Sequence, residues 1–229
     1  PTKALIGVEV LIRWEHPTIG LLMPDEFIPL AEESGMIVEI DQWVMKTAMM
    51  QISQWYKEGL NPGVLGLNIS IKQLDKIDFL QQIEASLREN DFDPTWLELE
   101  ITESQMMKRP EEVISKLHQI HALGIGISID DFGTGYSSLS LLKRLPINRL
   151  KIDRSFVRDI PKDEEDVAIV KAIIALAKSL KLDLIAEGVE TSEQRDFLID
   201  HGCINIQGHY CSYPLSKEEM HRLLLNQQS

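Results

Sequence analysis

Polar groups able to bind a metal or move a proton recur at the ends of apolar, strand-like runs in this chain of 229 residues. The run Val64–Ile69 carries Asn68 near its end, and Trp96–Thr102 carries Glu100. Ile125–Ile129 leads straight into Asp130 and Asp131, and Arg149–Ile152 supplies Lys151, with Asp153 just beyond. Glu187 follows Asp183–Ala186, Gln207 closes Ile204–Gln207, and Glu9 lies within Ala4–Arg13. Alternation along a strand would place Lys151 and Asp153 on one face. Carboxylate and amide oxygens without His or Cys suit the hard cations Mg²⁺, Mn²⁺ or Ca²⁺. Adjacent Asp130 and Asp131 can serve two ions, and two such ions can activate water and stabilise an in-line displacement at phosphorus. Lys151 adds a fixed positive charge near that water or phosphate. A single carboxylate at a strand end is ordinarily a helix cap or a solvated loop residue. A series of them at successive strand ends is harder to explain that way.

The elements that must position these groups alternate regularly. Between the apolar runs lie helix-period stretches at Asp41–Glu58, Phe79–Asn90, Pro110–Leu123, Asp163–Leu180, Ser192–Asp200 and Ser216–Leu225. Val167, Val170, Ile173, Ile174, Ala177 and Leu180 form one apolar stripe at helical spacing. Pro110 with Glu111 and Glu112, and the acidic run Asp163–Asp166, read as helix starts. Strand–helix alternation implies parallel strands with helical crossovers, either an open doubly wound sheet or a (β/α)8 barrel. No G-x-G-x-x-G follows the first strand, which weakens the dinucleotide-binding option. Seven strands are visible where a closed barrel has eight, and a missing leading strand would reconcile the count. Nothing in the composition divides the chain, and residues 1–229 read as one domain. In a parallel barrel the C-terminal strand ends open on one face, where carboxylates would repel one another unless cations neutralised them.

The composition excludes several classes. With 36 Asp and Glu against 23 Lys and Arg, the formal charge of −13 argues against binding duplex nucleic acid through its phosphates. No apolar run reaches the roughly 18–20 residues of a membrane span. Cys203 and Cys211 make no disulfide framework, which points to a reducing compartment and ordinary thiols. His118 and His121 belong to a solvated helix face, while Met45, Met49, Met50, Trp43 and Trp55 are expected to pack in the core.

Longer motifs make the pattern specific. Glu9-Val10-Leu11-Ile12-Arg13-Trp14 and Phe27-Ile28-Pro29-Leu30-Ala31-Glu32 resemble the start of EAL domains, the bacterial cyclic di-GMP phosphodiesterases. The resemblance continues through Leu67–Ser70, Glu100–Ser104, Asp130–Leu139, Leu150–Asp153, Ala186–Thr191 and Gln207-Gly208. It implies an α/β fold, a modified (β/α)8 TIM-like barrel, and hydrolysis of cyclic di-GMP to pGpG. By matching position it implies metal ligation by Glu9, Asn68, Glu100, Asp130, Asp131 and Asp153, with Asp130 bridging two Mg²⁺ or Mn²⁺ ions. It also implies catalysis by Glu187, Lys151 and Glu9, substrate contacts from Arg13 and Gln207, and anchoring of the loop Asp131–Leu139 by Glu103. Ca²⁺ is expected to bind but to inhibit. The implied setting is a cytoplasmic homodimer without membrane contact of its own. The parent signalling protein would also carry a sensor or diguanylate-cyclase-like domain and could itself be membrane-anchored.

Three departures from the family pattern stand out. Val10 replaces the alanine of the signature tripeptide, and strand parity would turn it away from Glu9. His209 and Tyr213 stand where an aromatic and a basic residue are frequent. Family members also carry a further strand before the segment matching Thr2–Gly7. The alternative to an enzyme is an EAL domain that binds cyclic di-GMP without cleaving it, or one that regulates by dimerising. Such receptors usually lose some acidic ligands, and none is lost here.

Overall fold

The computed structural model describes residues 4–106, 110–135 and 139–227. It forms two compact units. The first comprises Pro1–Leu99, Ala122–Ile125 and Ser216–Ser229, and the second comprises Glu100–His121 and Gly126–Leu215.

In the first unit, β1 (Gly7–Glu9) pairs in parallel with β4 (Val64–Asn68), with Glu9 opposite Gly66. The expected strand Ala4–Arg13 is therefore cut short, and the chain beyond it forms a hairpin. That hairpin is β2 (Trp14–His16) antiparallel to β3 (Gly20–Leu22). Close approach of β1 and β4 depends on Gly63, whose φ is +72° and where a Cβ would lie 2.3 Å from the Ile6 carbonyl oxygen. Leu65, Gly66 and Leu67 are all buried, the continuous pattern of a parallel strand covered on both faces. The helix Ile37–Lys57 packs on β4 and on the helix Phe79–Glu89. Its buried stripe is Ile37, Met45, Ala48, Met49, Ile52 and Trp55. Trp43 and Met50 are not core residues, being 61% and 56% exposed. At about 100° per residue each lies well off the stripe of Met45 and Met49, a distinction that composition alone does not make.

In the second unit, the last residues of β5 (Leu97–Thr102) are followed in spatial order by four more strands. These are β6 (Gly126–Phe132), β7 (Arg149–Ile152), β8 (Asp183–Ala186) and β9 (Asn205–Ile206). The pairs β6–β7, β7–β8 and β8–β9 are parallel, with the helices Glu164–Leu180 and Ser192–His201 as crossovers. Asp163 caps the first of these, accepting from the amides of Glu165 and Asp166 at 2.9 and 3.0 Å. Thr191 and Gln194 make a reciprocal capping box on the second. His118 and His121 are exposed on the helix Pro110–Ala122, as expected.

Candidate active site

Lys151 organises the second unit's chemistry. It lies on β7 between Leu150 and Ile152 and is only 2% exposed. Its Nζ is 2.5 Å from Glu100 Oε2, 2.6 Å from Glu187 Oε1 and 3.4 Å from Asp130 Oδ1. Burying an ammonium is costly unless it is paired and hydrogen-bonded. Three carboxylates from β5, β6 and the residue after β8 meet that need. Backbone bonds place Glu187: its amide donates to the Ile152 carbonyl at 3.1 Å, extending the β8–β7 ladder by one residue.

The neighbouring acids depend on an irregularity in β6. Ile129 pairs with Leu150, and Phe132 with Ile152, so Asp130 and Asp131 together oppose Lys151. This two-against-one bulge breaks strict alternation. Asp131 adopts the left-handed conformation, φ +53°, and its amide donates to Asp130 Oδ1 at 2.9 Å. The strand thus runs through both aspartates instead of ending at Ile129. Asp153 also differs from expectation. It lies past the end of β7 and does not share a strand face with Lys151. There it caps the turn Arg154–Val157, with Oδ1 accepting from the Ser155 amide at 2.9 Å and from the Ser155 hydroxyl.

Their surroundings shift the Asp131 and Asp153 carboxyls in opposite directions. Burial, then the charge of Asp130 and the bond to Asp153, push Asp131 up to about 6. Burial also acts upward on Asp153, but bonds from the Ser155 hydroxyl and amide outweigh it and hold that carboxyl below its ordinary value. Ser155 is a supporting residue that strand-end reading misses; a serine two residues after an aspartate is its only sequence signal.

Glu103, at 1% exposure, turns toward the segment that follows the bulge. Its Oε2 accepts from the amides of Gly133 and Gly135 at 2.9 and 3.2 Å. Residues 136–138 of that loop lie outside the described residues. Gln207, just after β9, donates its amide to the Ala186 carbonyl at 2.8 Å and accepts from the Val189 amide at 3.0 Å. Beyond it the rings of His209 and Tyr213 stack at 4.4 Å.

The first unit holds the remaining residues. Asn68 Nδ2 donates to Glu9 Oε1 at 2.8 Å, joining the ends of β4 and β1. Val10 lies outside β1, though its amide still donates to the Gly66 carbonyl at 3.2 Å. Arg13 is half-buried and donates to the Ile12 carbonyl at 2.8 Å. Sequence reading also misses Asp41, which accepts from the hydroxyl and amide of Ser70 at 2.6 and 3.3 Å.

Among the described residues no group of three or more His, Cys, Asp or Glu side chains is arranged as a metal site. In the second unit the carboxylates gather on the Lys151 ammonium instead. The donor chemistry nonetheless fits a hard cation, because the acids around Lys151 outnumber it and offer only oxygen. No helix among the described residues is long and apolar enough to cross a membrane.

The chain is 44% identical over 220 residues to the bifunctional diguanylate cyclase/cyclic di-GMP phosphodiesterase MucR of Pseudomonas aeruginosa. It is 42% identical over 208 residues to the cyclic di-GMP phosphodiesterase NbdA of the same organism. These matches cover 96% and 91% of this chain but only 32% and 27% of the relatives, so the chain spans about a third of their length or less. Among solved structures, the PaMucR phosphodiesterase in complex with c-di-GMP matches with a TM-score of 0.91 at 44% identity, covering 94% of this chain and 87% of that one. The EAL enzyme Bd1971, bound to cAMP and cyclic di-GMP, matches at 0.90 with 35% identity, over 95% and 60%. The fold class is α/β, of the modified (β/α)8 TIM-like barrel type expected. The family model described as EAL domain matches residues 1–214, and the chain belongs to the EAL domain family.

Proposed function

We propose that this chain, acting as a single EAL-type domain over residues 1–229, hydrolyses one phosphodiester bond of cyclic di-GMP to give pGpG. The observation that carries this reading is the buried Lys151 ammonium, within 2.6 Å of Glu100 and Glu187 and 3.4 Å from Asp130. Relatives named as cyclic di-GMP phosphodiesterases and a solved complex with c-di-GMP support the substrate. In the second unit Glu100, Asp130, Asp131 and Asp153 would offer oxygens to Mg²⁺ or Mn²⁺ ions, and in the first unit Glu9 and Asn68 would do the same. When bound, such ions neutralise phosphate charge and acidify a coordinated water.

The chain's own groups do the rest. Glu187 takes the proton of the attacking water as its oxygen bonds to phosphorus. The P–O3′ bond opposite breaks, and the 3′ oxygen leaves as a hydroxyl after taking a proton from solvent. Lys151 holds the Glu187 carboxylate in place through their 2.6 Å contact. It also offers positive charge to the phosphoryl oxygens as they gain negative charge. Arg13 and Gln207 orient the substrate, and Glu103 holds the Gly133–Gly135 segment beside the aspartates. The domain works in the cytoplasm as a homodimer, within a longer signalling protein that carries a sensor or diguanylate-cyclase-like domain. The much greater length of the relatives supports that setting.

The test is incubation with cyclic di-GMP and Mg²⁺ or Mn²⁺, followed by chromatography. The expected product is pGpG, absent with Asp130→Asn and absent with Ca²⁺, whose looser coordination positions water less well. Tight binding without product in either metal would replace hydrolysis with a receptor role.

A further inference from the structure

We propose that Asp41 is a positioning residue for Asn68 and Glu9: through Ser70 it fixes the end of β4, and with it the oxygens these two residues offer a divalent cation. The cation itself rests on the functional reading above; the geometry rests on hydrogen bonds within the first unit.

The backbone around Asn68 is pinned on both sides. On the N-terminal side, Gly66 is paired with Glu9 across the β1–β4 ladder, and its carbonyl accepts from the Val10 amide at 3.2 Å. On the C-terminal side, Ser70 is pinned by Asp41 Oδ2, which accepts from its hydroxyl at 2.6 Å and its amide at 3.3 Å. The hydroxyl has one proton, and giving it to Asp41 leaves a lone pair free to accept from the Gln73 amide at 3.2 Å. Ser70 thereby caps the turn Ile71–Leu74 and is itself 7% exposed. Asn68 lies midway between the two pins, and it is exposed, so packing does little to set its direction. Its amide is directed by the backbone on either side and by its 2.8 Å bond to Glu9 Oε1.

Asp41 suits the task because its own support is rigid. It belongs to the helix Ile37–Lys57, held in the core by Met45, Met49 and Ile52. An ionised carboxylate also accepts two bonds from one residue more strongly than a neutral acceptor would. Groups that orient metal ligands from behind typically change metal affinity about 10–100-fold when removed.

The test uses the whole chain and Mn²⁺ as probe. Ser70→Ala removes the hydroxyl bridge, Ser70→Thr keeps it, and Asp41→Asn keeps an oxygen acceptor without the charge. Calorimetric titration of Mn²⁺ without nucleotide should show binding weakened at least about tenfold in Ser70→Ala. Ser70→Thr should restore it to within about twofold, with Asp41→Asn between the two. Melting temperature without metal is measured alongside. A Ser70→Ala protein that melts earlier yet binds Mn²⁺ like the wild type would reduce the pair to scaffolding and overturn the proposal. Mn²⁺ uptake by the wild type with no change in any variant sinks this inference alone. No uptake by the wild type sinks the metal reading with it. If Ser70→Ala does not fold, the near-isosteric Asp41→Asn carries the comparison.

Discussion

Lys151 Nζ lies 2.5 Å from Glu100 Oε2, and the two side chains are 2% and 5% exposed. Removing the Lys151 charge strips Glu100 of its buried ion pair, and the desolvation of a buried ion is recovered only through such pairing. Lys151→Met should therefore cost about 3–5 kcal/mol of stability. The double variant Lys151→Met/Glu100→Gln should recover part of that loss by removing the stranded charge. Urea unfolding in EDTA measures both. A double variant no more stable than the single one would show that the pair is not the source of the loss.

The two amides that Glu103 accepts from, Gly133 and Gly135, flank the turn leaving Asp131. Glu103→Ala should release that segment and misplace the aspartates behind it. Misplacement of about an ångström can cost on the order of 100-fold in rate. The expected result is a kcat loss of roughly 10–100-fold, with KM for cyclic di-GMP changed far less. Glu103→Gln, which retains an acceptor, should recover much of it. Equal loss in both variants would mean that the charge, and not the anchoring, is what matters.

Strand–helix alternation and strand-end acids are legible because each depends on local chemistry. Asp163 caps its helix through residues two and three positions away, and Glu100, Lys151 and Glu187 stand where parallel strands end. What is not legible depends on neighbours distant in sequence. The bulge at Asp130 and Asp131 is defined only by pairing with β7. The bond from Ser70 to Asp41 spans 29 residues, so no window of helical or strand period reveals it. Trp43 and Met50 show the same limit from the other side. Apolar residues on a helix belong to the core only if they fall on its buried stripe, and that stripe is chosen by what packs against it.

Asp41 also gives stability a pH dependence whose sign is fixed. Burial is the main cause that lifts its carboxyl from 3.8 to about 6, only partly opposed by the bonds from Ser70. The folded state therefore keeps this proton longer than the unfolded chain does. Its contribution is fully present below pH 3.8 and is lost as pH rises through about 6. The amplitude is roughly 1–3 kcal/mol. Asp41→Asn mimics the protonated carboxyl and lacks this slope. Its advantage over the wild type should grow from pH 4.5 to 6.5 and then level off in metal-free urea titrations. Parallel pH curves for the two proteins would show that Asp41 titrates normally.

Gly208 follows Gln207 with a φ of +148°, and a Cβ there would lie 2.3 Å from the Val189 carbonyl oxygen and 2.4 Å from its amide nitrogen. Val189 is also bonded to Gln207, its amide donating to the Gln207 carbonyl at 3.0 Å. Neither obstructing atom is the end of a flexible side chain, so Gly208→Ala must move backbone. The expected cost is roughly 1–3 kcal/mol, and Gln207 should shift with it and raise KM for cyclic di-GMP. Gly202→Ala is the control. It also has a positive φ, +100°, but no atom within 4 Å of the new methyl group and a place at the end of the helix Ser192–His201. Its cost should be about 1 kcal/mol, from backbone conformation alone. Thermal melts paired with KM separate the two. If Gly208→Ala lost stability but kept a wild-type KM, Gln207 would not be positioned by this contact.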